Sequence, residues 1–381
     1  MLRFLDAGES HGKSLVAIID GFPAGLKVDV DFINRQLLLR QSGYGRGGRQ
    51  KIEKDTVEFL SGVRFGETIG SPIAMVIKNK DFDNWKSIMD PFAEYSQDKR
   101  VTRPRPGHAD LTGYLKYNRN DIRDVLERSS ARETAIRTAV GALCELLLNE
   151  VGVRLVSFVV AIGKIKMNVE FCDNIEEKVL NSPVFCPDER ASDLMIAEIE
   201  GAKRKGESLG GVVEAIAKGV VPGLGSYTQW YRRLDARLAF GIMGIQAVKA
   251  LEIGDGFDNA FRFGSQVHDE IYYDNGYKRY SNRAGGIEGG ISNGEDIIVK
   301  AYMKPIPTLK KGLRSVNVET HEKETSHFER SDVCAVPALS VVVRSVLAFE
   351  LACAYLEKFG SDTVDELVKR VDEYKAYLKT K

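Results

Sequence analysis

Short runs of apolar and β-branched residues recur along the chain. They predict strands over 15–20, 73–78, 154–162, 212–217 and 297–302. Longer segments carry a helical period instead. The clearest is 131–149, where Ile136, Val140, Leu143 and Leu147 fall on one face. It opens with Ser130-Ala-Arg-Glu133, the pattern of a capping box. Further helices are predicted over 31–41, 192–205, 235–250, 336–358 and 361–379. The most apolar run, 336–356, contains Arg344 and Glu350 and begins beside Pro337, which predicts a core helix rather than a membrane span. Strands and helices do not alternate regularly, so the fold class is α+β.

An internal echo overlies this pattern. GESHGKSLVAIIDG at 8–21 aligns without gaps on GESLGGVVEAIAKG at 206–219, and more faintly on GETIGSPIAMVIK at 66–78. Each copy is a glycine-rich turn leading into an apolar strand. The first copy also approaches a phosphate-binding P-loop, but only three residues separate Gly8 from Gly12 where that loop needs four. A P-loop also leads into a helix, whose N-terminus helps to hold phosphate. The glycine frame therefore reads as structural. Position four is His11, Leu209 or Ile69 in the three copies, so only the first carries an imidazole.

Composition narrows the picture. The chain has 381 residues with 54 basic and 54 acidic side chains, which argues against general binding to nucleic acid or acidic membrane. The N-terminus lacks an apolar export signal. The cysteines, Cys144, Cys172, Cys186, Cys334 and Cys353, include no C-x-x-C and no metal-ligand spacing. Free thiols in a reducing cytoplasm are expected. The neutral total hides an asymmetry. Arg35, Arg40, Arg46, Arg49 and Lys51 stand in 35–51 with no acid, and 99–137 holds ten basic against five acidic residues. Each stretch is net +5, which leaves −10 for the rest. Arginine suits bidentate binding of carboxylate and phosphate, so a small polyanionic substrate is expected here.

Two of the five histidines have a chemical setting. His11 sits in the first glycine frame, and His108 lies in RVTRPRPGHADLTG behind Arg100, Arg103 and Arg105. Either can exchange a proton near neutral pH. ERSSARET places Arg128, Ser129, Ser130 and Arg132 at a helix start, and ERSDVCAVPA places Arg330 and Asp332 at another. Such starts favour anions. Two rivals stay in view. A phosphotransferase would bind Mg-ATP at Lys13, and an RNA-binding protein would use the GYGRGGR loop with strongly salt-dependent affinity.

Taken together, these segments resemble the chorismate synthase family. GESHGKSLVAIIDGFPAG, RQSGYGRGGRQ, RPRPGHAD, ERSSARETAIRTAVGA, AGGIEGGISNGEDI, KPIPT and ERSDVCAVPA match its motifs in order, from about residue 3 to about 357. The resemblance implies a single domain over 1–381, a β-α-β sandwich with central helices between two antiparallel sheets. It implies elimination of phosphate from 5-enolpyruvylshikimate-3-phosphate to give chorismate, with reduced FMN required and NADPH as a reductant in some members. The substrate's two carboxylates and phosphate would give the basic stretches a target.

Carried over by motif, His11 would protonate the leaving phosphate, His108 would face the flavin, and Asp332 would serve the route of the second proton. Ser10, Arg40, Arg46, Arg49, Arg105, Arg132 and Arg330 would bind substrate, with Arg40 and Arg46 also facing NADPH. Arg128, Ser129, Ser130, Gln246, Ala247 and Gly289 would line FMN, together with Lys304, Pro305, Ile306, Pro307, Thr308 and Arg330. The resemblance further implies a homotetramer in the cytoplasm, with no metal and with neither nucleic acid nor membrane as partner.

Overall fold

The strand after the first glycine frame spans Ser14–Asp20, so the near-P-loop leads into a strand. A computed structural model describes residues 1–47, 53–92, 94–168, 174–329 and 331–381. The expected site residues Arg49 and Arg330, with Lys51 and Cys172, lie outside the described residues. Strand Ser14–Asp20 is central in a four-stranded antiparallel sheet whose order is 3–7, 14–20, 73–78, 57–61. The second echo copy, Gly211–Lys218, is central in another antiparallel sheet, ordered 248–253, 297–303, 211–218, 154–162, 165–166.

The turns share backbone geometry as well as sequence. Gly8, Gly66 and Gly206 have φ of +113°, +80° and +68°, and Gly21 and Gly219 have +80° and +75°. Glycine reaches this left-handed region without a Cβ penalty, which explains why both ends of the frame are glycine.

Two long helices lie between the sheets. Thr134–Glu150 packs on strands 14–20 and 73–78, and Val336–Phe359 packs on strands 154–162 and 211–218. The helices also pack against each other, and one buried apolar cluster runs through both sheets. The architecture is the α+β sandwich of two antiparallel sheets around central helices. Val336–Phe359 starts at Pro337, as expected for the first turn, and is long and apolar enough to cross a membrane, yet 83% of its most apolar stretch is buried in the fold. Cys144, Cys186, Cys334 and Cys353 are buried free thiols.

Two local expectations fail. The Ser130 hydroxyl accepts from the Arg132 N–H, and the Glu133 carboxylate turns away to accept from Gln246, so no capping box forms. Residues 131–133 make a 3₁₀ turn before the α-helix. The helix predicted over 235–250 ends at Met243; Gly244 follows, and strand Val248–Ile253 pairs with 297–303. Its residues satisfied a helical period, but long-range pairing claims Val248 and Leu251 for the sheet.

Candidate active site

The first glycine turn is held against the Ile122–Arg128 helix. The Ser10 N–H donates to the Glu127 carbonyl, and the His11 N–H donates to the Glu127 carboxylate (2.8 Å). The same carboxylate meets His11 Nδ1, with its two oxygens at 2.9 and 3.1 Å. Arg123, one turn earlier, donates to Glu127 Oε1 and to Glu329. Burial opposes ionisation of Glu127, but the hydrogen bonds and charge of His11, together with Arg123, outweigh it and the pKa is lowered. The imidazole stacks on Trp85, with centroids 3.9 Å apart, and Lys99 Nζ lies 3.6 Å from that indole ring.

His108 is held in the same way. Its Nδ1 lies 2.6 Å from Asp110 Oδ1. Arg105 binds Asp110 through Nε (2.8 Å) and Nη2 (3.1 Å) and donates through Nη1 to Thr308. Asp110 is fully buried, which opposes its charge, yet the hydrogen bonds from His108 and Arg105 hold its pKa well below the usual carboxylate range. Lys304 Nζ donates to the Gly107 carbonyl, and Ser208 of the second glycine turn donates to the Ile306 carbonyl. The segment 304–308 is thereby fixed beside the His108 loop. A polar path joins the two histidines: Arg123 to Glu329, Glu329 to His327, and the His327 N–H to the Arg103 carbonyl.

A third group gathers the other cofactor candidates. Ser130 donates to Ser10 (3.2 Å). Arg128 binds Asp6 and the Gly8 carbonyl. Glu133 accepts from Gln246 Nε2 (2.9 Å), and burial first, then a hydrogen bond with Asp6, raises its pKa to about 7. Ala247 adopts φ +68°, a strained conformation for alanine, and its carbonyl accepts from the Lys304 N–H. Gly289 sits at the exposed tip of a hairpin; the adjoining Gly290 carbonyl accepts from Leu234, at the start of the helix that leads to Gln246. The donor set suits a flavin phosphate and ring edge. Arg128 is partly exposed beside Ser129 and Ser130, and the buried Gln246 Oε1 has no donor among the described residues, so it can accept from a ring imide N–H.

The arginines expected to bind substrate form a buried cluster with their own counter-ions. Arg132 binds Asp55 (2.6 Å) and Asn79, Arg40 binds Thr134 and the Ala131 carbonyl, and Arg46 binds Asp332 (2.7 Å). Burial lowers the Arg40 pKa to about 9; Asp55 opposes this, and Arg132 and Arg46 add to it. Asp332 also accepts from the Gly47 N–H. A cleft of about 290 Å³ opens beside this pair, lined by Gly43, Tyr44, Arg46, Glu200, Lys203 and Val333. Lys13, the residue a nucleotide loop would use, is exposed.

Sequence reasoning missed Glu127, Asp110 and Trp85. Asp110 stands two residues after His108 in the RPRPGHAD motif, and Arg123 and Glu127 have the i, i+4 spacing of a helical ion pair. Those were the available signals. Nothing local couples Glu127 to His11, 116 residues away.

Residues 2–356 match the family described as chorismate synthase. The chain is 56% identical to a chorismate synthase from Desulforamulus reducens and 53% identical to one from Geobacter sulfurreducens, each over the full length of both chains. A crystal structure of a chorismate synthase superposes with a TM-score of 0.81 at 44% identity, covering 100% of this chain and 99% of that one.

Proposed function

The chain belongs to the chorismate synthase family, and from that membership we propose the residue roles, cofactor and assembly that follow. It is a carbon–oxygen lyase of the shikimate pathway, converting 5-enolpyruvylshikimate-3-phosphate to chorismate and phosphate. The observation that carries the residue roles is one hydrogen-bonded network: Arg123, Glu329 and His327 link Glu127 beside His11 to the His108 loop, and Asn79 ties the His11 turn to Arg132.

The family uses reduced FMN, and here Arg128, Ser129, Ser130, Gln246, Ala247, Gly289, 304–308 and Arg330 would hold it. When bound, it supplies the electron that is lent and returned, so phosphate leaves without net redox change. His11 gives a proton to the departing phosphate oxygen, which cancels charge as the C–O bond breaks. Arg40, Arg46, Arg49, Arg105, Arg132 and Arg330, with Ser10, bind the substrate's carboxylates and phosphate. Substrate anions must compete with Asp55 and Asp332 for these arginines, and that competition disfavours neutral analogues. Asp332, paired with Arg46, serves beside the flavin as part of the route for the proton lost from carbon. His108 holds a proton at the flavin edge. NADPH, where used, meets Arg40 and Arg46. We place the protein in the cytoplasm as a single-domain homotetramer, with neither membrane nor nucleic acid as partner.

An anaerobic assay tests this. Protein, substrate and photoreduced FMN are mixed, and chorismate absorbance and phosphate release are followed together. Equal yields with the flavin still reduced support the elimination. A parallel sample with oxidised FMN and NADPH turns over only if the protein reduces its own flavin. No product in either sample would reject the reading.

A further inference from the structure

The two candidate histidines share an arrangement that their roles do not require. Each Nδ1 faces a carboxylate, and each carboxylate is held by a buried arginine on the same segment: Arg123–Glu127–His11 and Arg105–Asp110–His108. We propose that Glu127 and Asp110 are positioning residues, each fixing its imidazole with a proton on Nδ1 so that Nε2 is the nitrogen that exchanges a proton. The proposal rests on the roles assigned above to His11 and His108.

The chemistry of the acceptors decides the tautomer. An ionised carboxylate has no proton to give, so the ring nitrogen it meets must be the donor. Glu127 gathers three donors, the His11 N–H, the His11 ring and Arg123, which keeps it ionised. At His108 there is a competitor, since Arg105 Nη2 lies 3.0 Å from Nδ1. That nitrogen also donates to Asp110 Oδ1, and a bare Nδ1 lone pair would then face the carboxylate at 2.6 Å. Protonated Nδ1 removes the repulsion.

The charges around each ring agree. His11 is faced by Glu127 and by Trp85, which carries Lys99 and Arg123 over its ring; Glu329 lies behind Arg123. His108 is faced by Asp110 and Arg105, with Lys304 held at Gly107. In each case the nearest charge among the described residues is a carboxylate. When His11 protonates the phosphate, the proton leaves Nε2, the ring returns to neutral with Nδ1–H in place, and Glu127 stays ionised. No proton moves onto the carboxylate.

The test is ring ¹⁵N NMR of the full-length protein with labelled histidine, at about pH 9, above the ordinary histidine range. Signals are assigned by their loss in His11→Asn and His108→Asn. Both imidazoles are expected to show a protonated Nδ1 and a bare Nε2. Glu127→Gln puts a donor where three donors converge, so the His11 signals should move toward the other tautomer while those of His108 stay. Its kcat per folded molecule should fall on the order of 10²-fold or more, with KM for substrate changed less than about threefold. A bare Nδ1 on either ring in the wild type overturns the assignment for that ring, and wild-type kcat in Glu127→Gln overturns the positioning role. If wild-type protein makes no chorismate, the functional reading fails instead, while the tautomers are still read directly from the spectrum.

Discussion

At the residue scale, His11 is a chemical group set into a structural turn. Its echo partner Leu209 occupies a matching turn and donates its N–H to the Val333 carbonyl, beside Asp332. Both turns therefore border the candidate site, and only one brings an imidazole. The sequence comparison makes His11→Leu the natural replacement, but the structure shows its cost. Leucine keeps the Trp85 contact and leaves one face of a buried carboxylate without its ring donor, which costs about 1–3 kcal/mol. His11→Asn can still donate to Glu127. We expect His11→Asn to melt within a few degrees of wild type and to lose about 10²–10⁴-fold in phosphate release under reduced FMN. A variant that melts normally and turns over normally would remove His11 from the chemistry. The two histidines were legible because their loops are rich in glycine, proline and arginine. Their carboxylate partners were not, because an acid's role depends on which distant backbone brings it a donor.

Among the elements, those defined by burial were legible and those defined by pairing were not. Strands 73–78 and 154–162 match their expected bounds, since both carry buried β-branched residues. Strand Arg3–Ala7 alternates exposed and half-buried residues at a sheet edge, and strand Val248–Ile253 had the period of a helix. The two long helices approach closely at Gly141. A Cβ placed on Gly141 would lie 2.3 Å from the Ser345 carbonyl oxygen and 2.5 Å from its Cα. Backbone meets backbone there, so no rotamer change can make room. Gly141→Ala should destabilise by about 1–3 kcal/mol, seen as a lower urea midpoint at unchanged m-value. An unchanged midpoint would mean that the helices separate freely.

Helix Val336–Phe359 carries a pH-dependent burden. Burial raises the Glu350 pKa from 4.5 to about 7, with Arg237 and Arg137 opposing. Between those values the folded chain binds more protons than the unfolded chain, so this group lowers stability as pH rises through the window. Glu350→Gln removes the penalty. It should raise the melting temperature at neutral pH, by up to about 3 kcal/mol in stability, and make no difference near pH 4. A gain that is the same at both pH values would assign the effect to packing instead of ionisation.

For the whole molecule, zero net charge is compatible with the proposed anion site. The chain pairs its basic stretches with acids from distant segments: Asp55 holds Arg132, Asp332 holds Arg46, and Glu329 holds Arg123. The surface has an asymmetry of its own. Between residues 227 and 280, Trp230, Phe240, Phe257, Phe261 and Phe263 are all exposed. Aromatic side chains at this density are costly to leave in water and are typical of subunit contacts. This supports the proposed tetramer and supplies its test. Phe261→Asp with Phe263→Asp would bury two carboxylates in the contact, and the loss of two aromatic anchors adds to that cost. Sedimentation velocity should show a tetramer for wild type and smaller species for the double variant, with unchanged far-UV circular dichroism. A wild-type monomer would reject the assembly, and a double variant that stays tetrameric would move the contact to another face. Neither substitution touches the residues assigned to substrate or flavin. Loss of phosphate release in a folded, dissociated variant would therefore show that each site needs the neighbouring subunit.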